Sequence, residues 1–435
     1  MYRKAMDALL AWKDSSRRKP LVLKGARQVG KTWLMREFAR AEYDDSLYIS
    51  FDRDAEAVRI FDDTKDPALI IERLSLTRGK SITPGKTLVI LDEIQECANA
   101  LGSLKYFCED ANEYHVITAG SLLGTYLANP TSYPVGKVNL LNIYPLTFEE
   151  YLAVSDTGMY QYYRSVQSGK DYVSAFHERM MEHYKKYLII GGMPECVQSW
   201  VTNAAPEEIT AIQEEIISLY ENDFTKHSGK VNSGRILQVF RSIVPQLAKE
   251  NNEKFMYAAI AKSARAKDFE DAIEWLISSG IAYRILNVSK NGYPLKAYEM
   301  LNYFKLFLLD VGLIKHMAQL TNKSILLSEA FQFKGQLTEN YVLEQLLPLL
   351  NYSPHYYAYA QDREIDFIIQ HGENIFPIEI KSSGNKNAVS FKNYIAKYKP
   401  KVAVRFNTNE YLHNEAIMNI PLYFVGKLFE LTATS

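Results

Sequence analysis

Residues 25–32 read Gly25-Ala26-Arg27-Gln28-Val29-Gly30-Lys31-Thr32, and this segment restricts the fold more than any other part of the chain. The apolar run Leu21-Val22-Leu23 before it reads as a short buried strand, and from Thr32 a helix follows with apolar residues at Leu34, Met35, Phe38 and Ala39. Strand, glycine loop and helix in this order turn successive backbone N–H groups toward one point at a helix N-terminus, where phosphate oxygens bind. Gly25, Ala26, Arg27, Gln28, Val29, Gly30, Lys31, Thr32 and Trp33 are therefore the candidate nucleotide-binding residues. Lys31 would reach the β- and γ-phosphates, and the Thr32 hydroxyl would ligate Mg²⁺. The expected ligand is ATP or GTP.

A phosphate loop also needs a metal anchor and a base. Both stand at the end of another apolar run, Thr87-Leu88-Val89-Ile90-Leu91-Asp92-Glu93. Asp92 would hold Mg²⁺ and Glu93 would polarise the attacking water. A further run ends Val116-Ile117-Thr118-Ala119-Gly120-Ser121. Ser121 or Thr118 could hydrogen-bond the γ-phosphate or that water; equally, Gly120-Ser121 could cap the next helix. The catalytic set read from sequence is thus Lys31, Asp92, Glu93 and Ser121. Strands at 21–23, 47–51, 87–91, 115–118 and 137–143 alternate with helices at 31–42, 67–76 and 101–109. That alternation predicts an α/β fold with a parallel sheet covered on both faces.

The chain has 435 residues, 47% of them hydrophobic and 23% charged, which predicts several globular domains. A net charge of −1 excludes a global attraction to nucleic acid and leaves only local patches. Cys97, Cys108 and Cys196 lack metal-ligand spacing and suit a reducing, cytoplasmic setting. No signal peptide or membrane span is expected. The expected domains are a P-loop ATPase domain at 1–147, a helical lid at 148–228, a winged helix at 229–322 and an α/β nuclease-like domain at 323–435. The winged helix rests on helices at 236–247, 256–264 and 268–278, followed by a hairpin of 281–288 with 295–299 across Asn291-Gly292.

Several motifs together resemble the prokaryotic AAA-type ATPases that carry an uncharacterised C-terminal domain of nuclease-like fold. They are Arg18-Lys19-Pro20-Leu21 with the phosphate loop, Leu91-Asp92-Glu93-Ile94-Gln95, Ala119-Gly120-Ser121, Tyr144-Pro145-Leu146-Thr147-Phe148 and Gly191-Gly192-Met193-Pro194. The resemblance implies adenine nucleotide, Mg²⁺, a helical lid and a winged helix. Such sites often take an arginine from a neighbouring subunit. Arg235, Arg241 and Arg265 are candidates by location, and each could equally be a solvated surface charge. Oligomers are common among such proteins.

Toward the C-terminus, Arg363-Glu364-Ile365-Asp366 reads as a strand and Pro377-Ile378-Glu379-Ile380-Lys381 as its hairpin partner. Alternation puts Glu379 and Lys381 on one face, with Asp366 across the hairpin. Glu339, on a helix at 335–350, could point to the same place. Carboxylates with a lysine are the donor set of metal-dependent phosphodiester cleavage, and the pattern resembles the PD-(D/E)xK nucleases. In that reading Asp366 and Glu379 bind a second Mg²⁺ or Mn²⁺, Lys381 orients water and Glu339 completes the set. The other reading is a set of cross-strand ion pairs. Further strands are expected at 401–406 and 422–425, after a helix at 389–398.

Lys254, Lys262, Arg265, Lys267, Lys290 and Lys296 form a stripe that could contact DNA phosphates. Tyr160, Tyr162 and Tyr163 could stack bases or simply pack. The expected function is Mg²⁺-dependent ATP hydrolysis coupled to DNA handling. The alternative is a slow ATP-dependent switch that binds a protein partner and has no nuclease activity.

Overall fold

The central strands of the nucleotide-binding unit are short apolar runs, buried where helices cover them, whereas the edge strands are more polar and partly exposed. β1 (Leu21–Lys24), β2 (Asp45–Ser50), β3 (Thr87–Asp92), β4 (His115–Ala119) and β5 (Asn139–Asn142) form one sheet in the order β2-β3-β4-β1-β5. All its pairings are parallel, and every residue of β3 is buried. The structure, a computed structural model, describes all residues except 121–133, 135, 203–204, 228–230, 250–253, 263, 328–332, 361–362, 383–388, 415–416 and 434–435. Two compact units result. The first comprises Met1–Tyr144 with Glu274–Ile281, and the second Pro145–Ile273 with Ala282–Ser435.

Helix boundaries in the first unit follow local chemistry. Asp66 accepts the Ala68 N–H (2.9 Å) just before Pro67 opens helix Pro67–Arg78. Gly79, at φ +60°, closes it in the left-handed region that suits glycine. Helix Ala55–Asp63, capped by Asp54 onto the Ala57 N–H, was not anticipated, although its buried Ala57, Ile60 and Phe61 follow the helical spacing.

In the second unit, Thr147 and Glu150 form a reciprocal cap on helix Phe148–Ser155. The Gly191-Gly192-Met193-Pro194 motif ends helix His177–Ile190 and starts helix Pro194–Val201. Gly191 has φ +75°, and a Cβ there would lie 2.2 Å from Asp310 Oδ1. The Gly192 N–H donates to Asp310 Oδ2 (2.6 Å), and Asp310 Oδ1 caps helix Val311–Met317 through the Leu313 N–H (2.9 Å). Beside it, Glu344 of helix Lys334–Leu350 accepts from Tyr187 Oη (2.6 Å) and from the Val311 N–H (2.9 Å). Burial pushes the Asp310 carboxyl up to about 6 and Glu344 well above the carboxylate range.

The same unit holds an eight-stranded sheet in the order β12-β13-β11-β10-β9-β8-β6-β7. Its strands are β6 (Ala282–Val288), β7 (Glu299–Leu308), β8 (His355–Ala360), β9 (Arg363–His371), β10 (Asn374–Lys381), β11 (Val404–Asn407), β12 (Leu412–Asn414) and β13 (Ile417–Pro421). Here the structure differs from expectation. The hairpin anticipated as a wing, β6 with β7, is continuous with the C-terminal sheet through parallel pairing of β6 with β8. The helix expected at 256–264 is reduced among the described residues to one 3₁₀ turn, Tyr257–Ala259. Residues 422–425 are a 3₁₀ segment after Pro421, not a strand. Their side chains are buried all round, so the run carries no period to read. Tyr162 and Tyr163 are buried, Tyr163 against Phe148 and Phe424, and Tyr162 against Phe176 and Phe424. They pack; they do not present a stacking surface. No helix among the described residues is long and apolar enough to cross a membrane.

Two outcomes follow for the second unit. Gly191→Ala meets both a left-handed backbone and the Asp310 carboxylate, and is expected to cost roughly 2–3 kcal/mol in urea unfolding. The folded chain keeps a proton on Asp310 up to about pH 6, whereas the unfolded chain releases it near the ordinary aspartate value. This contribution therefore stabilises most at low pH and fades as pH rises through 4 to 6. In paired urea titrations the stability of wild type relative to Asp310→Asn is expected to be greater at pH 4.5 than at pH 7.

Candidate nucleotide site

The loop after β1 lies at the carboxyl edge of the parallel sheet, where open α/β sheets bind ligands. Gly25 has φ +155°, and a Cβ on it would strike the Ile143 carbonyl oxygen at 2.2 Å. Gly30, at φ +89°, is the residue before helix Lys31–Glu42. Gln28 also adopts positive φ (62°), so the loop turns in the left-handed region twice. Val29 and Ala26 are buried, which anchors the loop to the body of the domain.

Lys31 donates from Nζ to the carbonyls of Gly25 (2.8 Å) and Ala26 (2.7 Å) and is 8% exposed. Burial pulls its ammonium down to about 8, against the opposing pull of Glu93 and Asp92. Thr32 Oγ1 donates to Asp92 Oδ2 at 2.7 Å. The two oxygens expected to serve Mg²⁺ are therefore adjacent, although their residues are 60 positions apart. Tyr48 Oη also donates to Asp92 Oδ2 (2.9 Å), and the Arg36 guanidinium lies over the Tyr48 ring at 4.0 Å. Thr32, Arg36, Tyr48, Asp92 and Glu93 line a cavity of ≈ 330 Å³, within the ~300–1,000 Å³ typical of small-molecule sites.

Glu93 has φ 49°, and Gln95 Nε2 donates to its Oε2 at 2.6 Å. At the end of β4, the Thr118 hydroxyl is fully buried with no hydrogen-bond partner among the described residues. Ser121 lies outside the described residues. Trp33 is 40% exposed at the first turn of the helix. The donor set fits a Mg²⁺–nucleotide: an adjacent hydroxyl and carboxylate, and a lysine inside the loop.

Sequence reasoning missed several contributors. Arg3 donates to the Val29 carbonyl (2.9 Å) and the Tyr144 carbonyl (2.7 Å), bracing the loop from behind while 5% exposed. An arginine near the start of a chain carries no signal for that role. Gly280, at φ +76°, comes so close that a Cβ would sit 3.1 Å from the Ala26 nitrogen. Gln95 was part of a quoted motif but was given no task.

The C-terminal residues named from sequence also share one neighbourhood. Glu339 and Asp366 act on one another electrostatically, and Lys381 acts on both. Glu379 lies 2.9 Å from Lys381 and 2.8 Å from Arg405, and Asp366 Oδ2 accepts the Ile380 N–H at 2.6 Å. Two partners were missed, Glu364 and Lys305, which pair with each other. Among the described residues no group of three or more His, Cys, Asp or Glu side chains is arranged to hold a metal ion. Of the arginine candidates, Arg241 is paired with Glu221 (2.9 Å) and Arg235 lies 3.9 Å from Asp268.

Residues 17–152 match the family described as AAA domain. Residues 181–324 and 334–424 match two families described as domains of unknown function, DUF8612 and DUF4143. No curated protein matches the chain. Among solved structures, the Walker-type ATPase of Pyrococcus abyssi is similar at 14% identity and a TM-score of 0.46, over 73% of this chain and 95% of that one. A signal-transduction ATPase with a tetratricopeptide repeat sensor from Pyrococcus horikoshii gives 13% and 0.29, over 80% of this chain and 45% of that one. The Orc1 protein of Aeropyrum pernix, solved in complex with DNA, gives 12% and 0.26, over 73% and 91%.

The shared Thr32–Asp92 contact yields a coupled prediction. Thr32→Ala and Asp92→Asn are each expected to weaken Mg²⁺–ATP binding at least tenfold by calorimetry. The double variant is expected to lose less than the sum, because both act on one ion. Strict additivity would mean that the two oxygens serve separate purposes.

Proposed function

We propose that this chain is a Mg²⁺-dependent ATPase with a slow resting turnover that DNA accelerates. The observation that carries the reading is the Thr32–Asp92 contact beneath a loop whose lysine is already inside it. Bound Mg²⁺ supplies charge compensation for the phosphates. The chain's residues do the rest. Lys31 exchanges the Gly25 and Ala26 carbonyls for phosphate oxygens, Thr32 and Asp92 hold the ion, and Thr118 offers its unpartnered hydroxyl to the terminal phosphate or the attacking water. Glu93 orients that water and accepts its proton.

Slow resting turnover follows from Gln95. Its amide occupies one Glu93 oxygen at 2.6 Å, so the carboxylate is only half available to water. A partner that draws Gln95 away frees Glu93. DNA is favoured as that partner by the cations Lys254, Lys262, Arg265, Lys267, Lys290 and Lys296 of the second unit. Among the described residues none of these six cations lies in an ion pair, and Lys254 and Lys290 rest over the Tyr303 and Tyr298 rings at 4.2 and 5.6 Å. Unpaired cations beside aromatic rings suit a polyphosphate strand. Phosphodiester cleavage is not part of the proposal, since the C-terminal acids are met by cations of the chain itself.

The test is steady-state ATP hydrolysis with and without duplex or single-stranded DNA. Glu93→Gln is expected to lower turnover by about 10²–10⁴-fold, the range for loss of a general base. Gln95→Ala is expected to raise the basal rate and shrink the stimulation by DNA. Turnover unmoved by DNA, with ATP retained through purification, would replace the DNA reading with a switch addressed to a protein.

A further inference from the structure

We propose that the Lys305 ammonium takes the place of a divalent cation among Glu339, Glu364 and Asp366, so that this domain holds its carboxylates without metal. The resemblance to PD-(D/E)xK nucleases implies a metal here, and the donor set does not fit one. Both oxygens of Glu379 are engaged, Oε1 by Lys381 (2.9 Å) and Oε2 by Arg405 (2.8 Å). One oxygen of Asp366 is turned onto the Ile380 N–H at 2.6 Å. A ligand oxygen already accepting a strong hydrogen bond or an ion pair must surrender it before it can bind an ion.

Lys305 is what the sequence pattern omits. It belongs to β7, while Glu364 and Asp366 belong to β9, and β6 and β8 lie between them in the sheet. The side chain crosses that gap beside the ring of Tyr356 on β8, its Nζ 5.1 Å from the centroid, and ends in direct contact with Glu364 Oε1. It is 7% exposed. Glu364 and Asp366 occupy alternate positions of β9, so the lysine that pairs with Glu364 ends against the strand that also carries Asp366, where the nuclease arrangement would place a metal. Half-buried acids grouped this closely repel one another, and a fixed lysine paired with one of them offsets that repulsion.

The test uses the full chain, nucleotide-free, with Asp92→Asn to silence the phosphate-loop site, and Mn²⁺ binding followed by electron paramagnetic resonance. The Asp92→Asn parent is expected to bind no Mn²⁺ in the C-terminal domain, so adding Asp366→Asn changes nothing. Adding Lys305→Met, which keeps length but removes charge, is expected to create one site per chain, at least tenfold tighter than any in the parent. That site should vanish again with Asp366→Asn. Stoichiometric Mn²⁺ on the parent that is lost with Asp366→Asn would overturn the proposal. So would a folded Lys305→Met variant, with unchanged circular dichroism, that gains no site. If Lys305→Met does not fold, the parent titration with and without Asp366→Asn still decides.

Discussion

Two buried carboxylates, Asp310 and Glu344, fix how the helices of the second unit are oriented against one another. Between them they accept from the Gly192, Leu313 and Val311 N–H groups and from the Tyr187 hydroxyl. Those partners come from the end of helix His177–Ile190 with the turn after it and from the start of helix Val311–Met317, while Glu344 sits mid-way along a third helix, Lys334–Leu350. Gln345, next to Glu344, accepts the Phe148 N–H at 2.8 Å and donates to Tyr187 Oη. Four segments distant in sequence are thereby fixed by groups that hydrophobic packing alone could not orient. Unpaired, any of these polar groups would cost about 1–3 kcal/mol. The helices can therefore shift only by exchanging partners, not by sliding.

This network explains why two motifs were visible in the sequence only through resemblance. Gly191-Gly192-Met193-Pro194 has no local chemistry that announces a role. Gly191 serves a left-handed turn beneath Asp310, a residue more than a hundred positions away. Thr147 and Glu150 are the exception. A Thr followed three residues later by Glu is a cap signal that needs no tertiary partner, and the structure forms it.

The nucleotide site was legible for a related reason. Phosphate binding needs backbone N–H groups at a helix start, and that demand is written in consecutive residues from Gly25 to Thr32. Asp92 and Glu93 were legible because a buried parallel strand ending in acids is a local pattern too. What escaped was everything that supports these groups from elsewhere. Arg3, Tyr48 and Gly280 contact the loop or its acid only after the sheet has formed. The β6–β7 hairpin was misjudged in the same manner. Its first strand was anticipated, but 295–298 is a 3₁₀ turn and the second strand runs Glu299–Leu308, while the other neighbour, β8, is some 50 residues further on and fixes which sheet the hairpin joins.

The C-terminal cluster shows how far a spacing pattern can go. Glu339, Asp366, Glu379 and Lys381 do share one neighbourhood, as alternation and the hairpin register require. Their chemistry is set by residues outside the pattern. A motif specifies which acids converge; the cations that meet them decide what the acids can still bind. Arg405 comes from β11 and Lys305 from β7, on opposite sides of the β9–β10 hairpin. A carboxylate held between fixed cations has already given up its hydration and gained a partner. An incoming divalent ion must then repel two charges before it gains two ligands. For such a centre the loss of a single lysine changes ligand capacity more than the loss of any one acid.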